Sequence, residues 1–197
     1  NTAPGSCIAS SPNGCTHCCG AHQPWDCDGD SGNSAQTPLI NYDSGLAVAW
    51  IDGVRGNNTG INSCKNGQIV FGAGGIETNV SNSPGTGSYD PRLAWNGSSY
   101  GVTWNEGGTD YFKVIGGSLY AFSGTGASSI TSLAADSQSG KWAIVRAESG
   151  AYKFRLFNAS GGNPSASTTL PSGSFGGYRI AWNQSAGEWH VFGTPSS

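Results

Sequence analysis

The chain has 197 residues, of which 11% are charged, 32 are glycine and none is methionine, and its net charge is −3. This length suits one domain or a short repeat array, and abundant Gly, Ser, Thr and Asn favour turns over helices. The small negative charge offers no basic surface for nucleic acid, and no apolar run approaches the roughly 20 residues that span a bilayer. We therefore expect an all-β protein with no nucleic-acid partner and no membrane span.

Residues 1–36 contain Pro, Gly, Ser and most of the cysteines, and they show neither strand nor helix periodicity. Because the first residues, Asn1-Thr2-Ala3-Pro4, include no Met, we interpret them as a mature end left by signal-peptide removal, which predicts a secreted or cell-surface protein. An even cysteine count in such a chain favours disulfides and leaves the pairing open. The predicted disulfide cysteines are Cys7, Cys15, Cys18, Cys19, Cys27 and Cys64.

Five cysteines precede Cys64, so they cannot all pair among themselves. We expect one of them to bond Cys64 and to hold a disulfide-rich N-terminal cap against the first repeat. The alternative for this region is zinc, bound by the cysteines of Cys15-Thr16-His17-Cys18-Cys19 together with His22.

Three interpretations compete for the segment Asp26-Cys27-Asp28-Gly29-Asp30-Ser31-Gly32. Asp26, Asp28 and Asp30 alternate, so their carboxylates could converge on calcium, although the segment departs from the EF-hand pattern. Gly29-Asp30-Ser31-Gly32 resembles the nucleophile motif of trypsin-like proteases, but it lies only 14 residues from His17, before the repeats begin, and we reject catalysis. The third interpretation is an acidic turn fixed by disulfides.

An internal repeat organises residues 37–197. Its clearest copy, Arg92–Gly107, reads as a strand with Leu93 and Trp95 alternating, a polar turn, and a second strand with Tyr100, Val102 and Trp104 alternating. A third strand follows in the first three copies. Taken at Leu46, Tyr100, Trp142 and Trp189, the copies are 54, 42 and 47 residues apart. Periods of about 40–50 residues with four short strands are typical of propeller blades.

On these residues the chain resembles secreted β-propeller-like repeat proteins, whose units often read apolar-Ala-Trp-Asn/Asp-Gly and then aromatic-x-Val-x-Trp-x-Asp/Glu. The resemblance covers residues 37–193 and implies a small four-repeat β-propeller-like array, a scaffold that most often binds glycans, proteins or small ligands. The fourth copy stops after its second strand, at Val191-Phe192-Gly193. Either the N-terminal part of the chain supplies a closing strand, or the open edge meets another chain, which makes a homo-oligomer an expectation to test.

Asp52, Glu106 and Glu148 share one repeat position, two residues after the predicted end of the second strand, where the fourth copy has Pro195. Repeated acids could line one face and bind a cation or a polyhydroxylated ligand, or they could accept backbone N–H bonds in turns. Most repeat tryptophans should be core residues, and an exposed one such as Trp104 would give a sugar an apolar platform.

We therefore predict a non-catalytic binding module for a glycan or for an extracellular or surface protein, with Asp52, Trp104, Glu106 and Glu148 as ligand-binding residues. The alternatives are a structural subunit that assembles through an open sheet edge and a glycoside-processing enzyme, which would need two carboxyls flanking the bond. Any cofactor would be calcium. Five N-x-S/T sequons matter only if the source glycosylates; they begin at Asn57, Asn79, Asn96, Asn158 and Asn183.

Overall fold

The structure is a computed structural model, and it describes residues 39–42, 45–52, 67–83, 86–122, 129–172 and 175–195. These residues form fourteen strands, arranged in four antiparallel sheets, and no helix. The expectation of an all-β chain is confirmed. None of the described residues belongs to a helix long and apolar enough to cross a membrane.

The chain divides into two compact units, Asn1–Pro91 and Arg92–Ser197. The described part of the first unit holds the first sheet, whose four strands pair in chain order: β1 (Leu39–Tyr42), β2 (Gly45–Asp52), β3 (Gln68–Ala73) and β4 (Ile76–Asn79). Trp50 is buried in this unit, and a Cβ on Gly72 would lie 3.0 Å from the Trp50 ring. Glycine at position 72 therefore makes room for the indole.

The second and third sheets repeat this four-stranded order. The second sheet consists of β5 (Ser88–Trp95), which begins just before the unit boundary, β6 (Tyr100–Glu106), β7 (Thr109–Val114) and β8 (Leu119–Ala121). The third sheet consists of β9 (Ser129–Ala135), β10 (Trp142–Glu148), β11 (Ala151–Phe157) and β12 (Thr168–Thr169). The fourth sheet has two strands among the described residues, β13 (Phe175–Asn183) and β14 (Glu188–Pro195). Each predicted repeat thus corresponds to one sheet.

A polar residue at the end of the first strand, or directly after it, closes the next turn in the second, third and fourth repeats. Asn96 Oδ1 accepts the backbone N–H groups of Ser98 and Ser99, at 3.0 and 2.8 Å. Asp136 Oδ1 and Asn183 Oδ1 each accept the N–H groups two and three residues later in the same way. This local bonding explains why Asn or Asp recurs at this position of the repeat.

Asn96 also connects the second and third sheets. Its Nδ2 donates to the backbone oxygen of Gly140 at 2.7 Å, and the residue is 1% exposed. The sequon that begins at Asn96 is therefore closed to glycosylation in the folded chain, because the nitrogen that a glycan would occupy is buried and bonded.

Apolar side chains fill the spaces between the sheets of the second unit. The cluster between the second and third sheets consists of Ala94, Phe112, Val114, Phe122, Ile130, Trp142, Ile144 and Phe157. The cluster between the third and fourth sheets consists of Ala143, Val145, Tyr178 and Ile180, with Trp189 and Val191 packed against it. Successive residues of β10 serve the two clusters alternately, as the period of a strand buried on both faces requires.

The first strands of neighbouring repeats are held together by side chains that bond backbone groups. Arg92 Nε donates to the oxygen of Ile130, and Arg179 donates to the oxygen of Thr131, both at 2.9 Å. Ser132 Oγ accepts the N–H of Ile180 at 3.1 Å. These bonds satisfy groups on the edges of β9 and β13 that face away from their own sheets.

Candidate functional site

The acids that the sequence aligns across the repeats are the last residues of their strands. β2 ends at Asp52, β6 at Glu106 and β10 at Glu148. The repeat pattern predicted strands that end two residues before these acids, and the structure corrects this boundary. The hairpins after β6 and β10 close with two-residue turns, Gly107-Gly108 and Ser149-Gly150, in which every φ is positive. Such turns match the twist of the flanking strands, so pairing continues up to the acids.

Glu106 is held by Trp104. The indole Nε1 donates to Glu106 Oε2 at 3.2 Å, and the two side chains share a sheet face because they are two residues apart. Trp104 is 2% exposed and stacks on Tyr111, with ring centroids 5.3 Å apart. The ring is thus part of the packing of the second sheet, and a direct ligand contact for Trp104 stays a prediction.

Glu148 belongs to a group of four polar side chains that we call the acid–arginine cluster: Asn105, Asp110, Arg146 and Glu148. Arg146 lies between two carboxylates, with Nε 3.3 Å from Asp110 Oδ2 and Nη1 3.4 Å from Glu148 Oε2. Asn105 Nδ2 donates to Asp110 Oδ1 at 3.0 Å. Asp110 comes from β7 and Arg146 from β10, so the cluster joins the second and third sheets.

Exposure differs sharply within the cluster. The side chains of Arg146 and Asp110 are 4% and 1% exposed, whereas that of Glu148 is 30% exposed. The Arg146 guanidinium also lies 4.8 Å from the centroid of the Phe122 ring. A buried ion pair needs both partners, because removing either leaves an uncompensated charge in a medium that solvates it poorly. Glu148 is therefore the most exposed of the three charged members of the cluster, and the buried Arg146 guanidinium holds its carboxylate in position.

Arg146 links Glu148 to Asp110, whereas Glu106 lies elsewhere. Asn105 and Asp110 are opposed in the register of β6 and β7, so their side chains lie on the sheet face that packs on the third sheet. Glu106 is one residue further along β6 and lies on the opposite face with Trp104. Within the second unit, the two predicted acids therefore do not share one site.

Asn105, Asp110 and Arg146 were missed by the sequence analysis, although the sequence carries a signal for two of them. Arg146 continues the alternation of the buried residues Trp142 and Ile144 in β10. Asp110 likewise precedes Phe112 and Val114 at intervals of two. A charge at an alternating core position indicates a buried, paired side chain, because an unpaired one would cost too much.

The remaining predicted residues belong to the first unit. Asp52 is opposite Gln68 in the register of β2 and β3. The metal candidates Asp26, Asp28 and Asp30, the histidines His17 and His22, and the six cysteines lie outside the described residues; these cysteines are Cys7, Cys15, Cys18, Cys19, Cys27 and Cys64. Within the described ranges, no three His, Cys, Asp or Glu residues are grouped closely enough to hold a metal ion.

Comparisons with known proteins add no family to this geometry. No model of a known protein family matches the chain, and no curated protein matches it either.

Proposed function

We propose that the chain is a secreted or cell-surface binding module without catalytic activity, in which the four sheets are repeats of a small propeller-like array behind a disulfide-rich cap at residues 1–36. The repeated strand order of the first three sheets supports this proposal, as does the shared Asn or Asp turn in the second, third and fourth repeats. Neighbouring sheets of the second unit also pack face to face through continuous apolar clusters, as blades do.

The ligand class we propose is carbohydrate, bound at the exposed side of the acid–arginine cluster. The observation that carries this is Glu148, a partly exposed carboxylate held 3.4 Å from a guanidinium that is itself buried against Asp110. A carboxylate can accept bonds from two neighbouring hydroxyl groups, and Arg146 keeps this one in place before a ligand arrives. Such preorganisation lowers the entropy lost on binding.

The same geometry favours binding over hydrolysis. Glycoside cleavage needs two carboxyl groups that both reach the scissile bond. Asp110, the carboxylate that shares Arg146 with Glu148, is 1% exposed and is engaged by Asn105 and Arg146. It cannot approach a sugar ring in this conformation, and Glu106 lies on the other face of the sheet.

A glycan array followed by calorimetry on the strongest glycan tests the proposal. Glu148→Gln should weaken binding about tenfold, the equivalent of one charge-assisted hydrogen bond of about 1.4 kcal/mol. Glu188→Gln is the matched control, because Glu188 also borders a hairpin turn and its side chain is 63% exposed. Its binding should equal that of the wild type.

Four results would contradict this assignment. Absence of binding to every glycan class would remove carbohydrate as the ligand. Equal binding by wild type and Glu148→Gln would place the site elsewhere, and a larger loss with Glu106→Gln would move it to the opposite face of the second sheet. Release of reducing sugar would show that the module is an enzyme.

A further inference from the structure

The last strand of the fourth sheet differs from the last strands of the other three. The first three sheets finish with β4, β8 and β12, which have four, three and two residues. The fourth finishes with β14, which has eight. An edge strand offers a row of backbone N–H and C=O groups to another strand, and proteins commonly protect such edges by keeping them short. β14 lacks that protection.

The sequence of β14 is well suited to pairing. Among the described residues, β13 is the only strand that pairs with it. Its central residues, Trp189-His190-Val191-Phe192, include three β-branched or aromatic side chains of high strand propensity, and no lysine guards the edge. Its only proline is Pro195, at the last position, so the residues before it retain their N–H groups.

One face of β14 is covered and the other is open. Trp189 and Val191 pack against the apolar cluster between the third and fourth sheets. The alternate residues His190 and Phe192 face the other way, with ring centroids 6.1 Å apart, and Phe192 is 53% exposed. Val145, which occupies the place of Phe192 in the third repeat, is 0% exposed. Among the described residues, the fourth sheet thus has both an unpaired edge and a partly exposed apolar face.

We propose that β14 pairs antiparallel with β14 of a second copy of this chain, across a two-fold axis at Val191. The two hairpins then form one continuous sheet of four strands, the size of the other three sheets. A two-fold axis perpendicular to the sheet keeps the covered faces of the two copies on the same side, so the packing of Trp189 and Val191 within each copy is unchanged.

This register is self-complementary. It places Trp189 of one copy opposite Gly193 of the other, where the missing side chain leaves room for the indole. Within the chain, indole rings lie close to Gly72 and Gly101 in the same way. Phe192 lies opposite His190 of the second copy, which adds to the ring contact within each chain and covers exposed apolar surface. Glu188 lies opposite Thr194, about 20 Å along the strand from Glu188 of the second copy, so like charges do not meet.

Size-exclusion chromatography with light scattering over a dilution series tests the dimer. The full-length wild type should be dimeric at high concentration and dissociate on dilution. Phe192→Lys should weaken the dimer at least tenfold, because it places a charge on the edge of each copy. Leu119→Lys is the matched control, since Leu119 is 56% exposed on the short edge strand β8, and it should leave the dimer unchanged.

Cross-linking tests the register. Val191→Cys should give a disulfide between two copies under oxidation, since directly opposed residues of antiparallel strands have Cα separations that a disulfide can span. Ile76→Cys, at a residue that is 72% exposed on β4, should give none. Peptide mapping identifies the linked residues and separates them from the native cysteines.

A wild type that stays monomeric at its solubility limit overturns the proposal, and protected β14 amides in that monomer would assign the edge to another segment of the same chain. A dimer that Phe192→Lys leaves intact, or that Val191→Cys fails to link, uses a different surface and also overturns it. Loss of the dimer with Phe192→Lys, retention with Leu119→Lys and the Val191→Cys link together establish it.

Discussion

In each of three repeats, one side chain closes the turn after the first strand. Asp136 is the only charged residue of the three. Burial raises the pKa of its carboxyl, but this is outweighed by bonds from the Ser139 hydroxyl and from the N–H groups of Gln138 and Ser139, with Lys141 nearby. Its pKa is therefore lower in the folded chain than its ordinary value of 3.8. Asn96 and Asn183 make the same backbone bonds without a charge.

The lowered pKa of Asp136 predicts a specific loss of stability in acid. The charged form is favoured in the folded state, so its stabilisation is complete above the unfolded pKa, near 4, and is lost as pH falls through the folded value. Asp136→Asn should keep the turn and remove this contribution. Urea unfolding should be measured from about pH 2 to about pH 7. As the pH falls, the unfolding free energy of the wild type should decrease more steeply than that of Asp136→Asn. Parallel curves for the two proteins would contradict this assignment.

At the scale of the elements, the approach of two sheets depends on Gly101 of β6. A Cβ at this position would lie 2.6 Å from the ring of Trp142, which belongs to β10 and is fully buried. The indole cannot move easily, because its Nε1 donates to the oxygen of Ala159 at 3.1 Å and its ring packs edge-on against Phe112. The missing side chain at Gly101 therefore lets the second and third sheets pack closely.

Gly101→Ala should destabilise the fold by about 1–3 kcal/mol, the usual cost of overpacking a filled core. Gly162→Ala is the control, because neither glycine has a positive φ and a Cβ on Gly162 meets its nearest atom only at 3.7 Å. Denaturant unfolding of both variants gives the comparison. Equal stabilities would show that the Trp142 ring relaxes freely, contrary to its bonded and buried position.

At the scale of the molecule, the ion pair of Arg146 and Asp110 links the second and third sheets deep in the second unit. Asp110→Leu alone should cost about 3–5 kcal/mol of unfolding free energy, because it removes a carboxylate that compensates the buried Arg146 charge. Adding Arg146→Met should recover part of this loss, since two apolar side chains can pack in place of the pair. A double-mutant cycle of urea unfolding measures the coupling.

The exposed pair of Glu188 and His190, 3.0 Å apart, is the control for that cycle. Glu188→Gln should change stability by less than about 1 kcal/mol, because solvent screens the pair. If the changes in unfolding free energy of the Arg146 and Asp110 variants were additive, the two charges would not be coupled. The proposal that this ion pair holds Glu148 in position would then be wrong.

The local structure of this protein follows from its sequence alone. Alternating residues such as Tyr100, Val102 and Trp104 fix a strand, and glycine or Asn turns fix hairpins, because these signals act over a few neighbouring residues. The repeat of strands and turns therefore indicated the all-β class and one group of strands for each repeat. It predicted strands that end two residues before the acids, whereas the strands continue up to the acids.

Which of those residues contact one another depends on how the sheets pack. Glu106 and Glu148 are equivalent in the repeat, and each is held by a residue of its own strand, Trp104 or Arg146. Arg146, however, also pairs with Asp110 of the neighbouring sheet. Which face of one sheet packs on the next is set by contacts between residues far apart in the chain. Repeat periodicity treats all copies alike, so it cannot distinguish a carboxylate inside its own sheet from one at a junction between two.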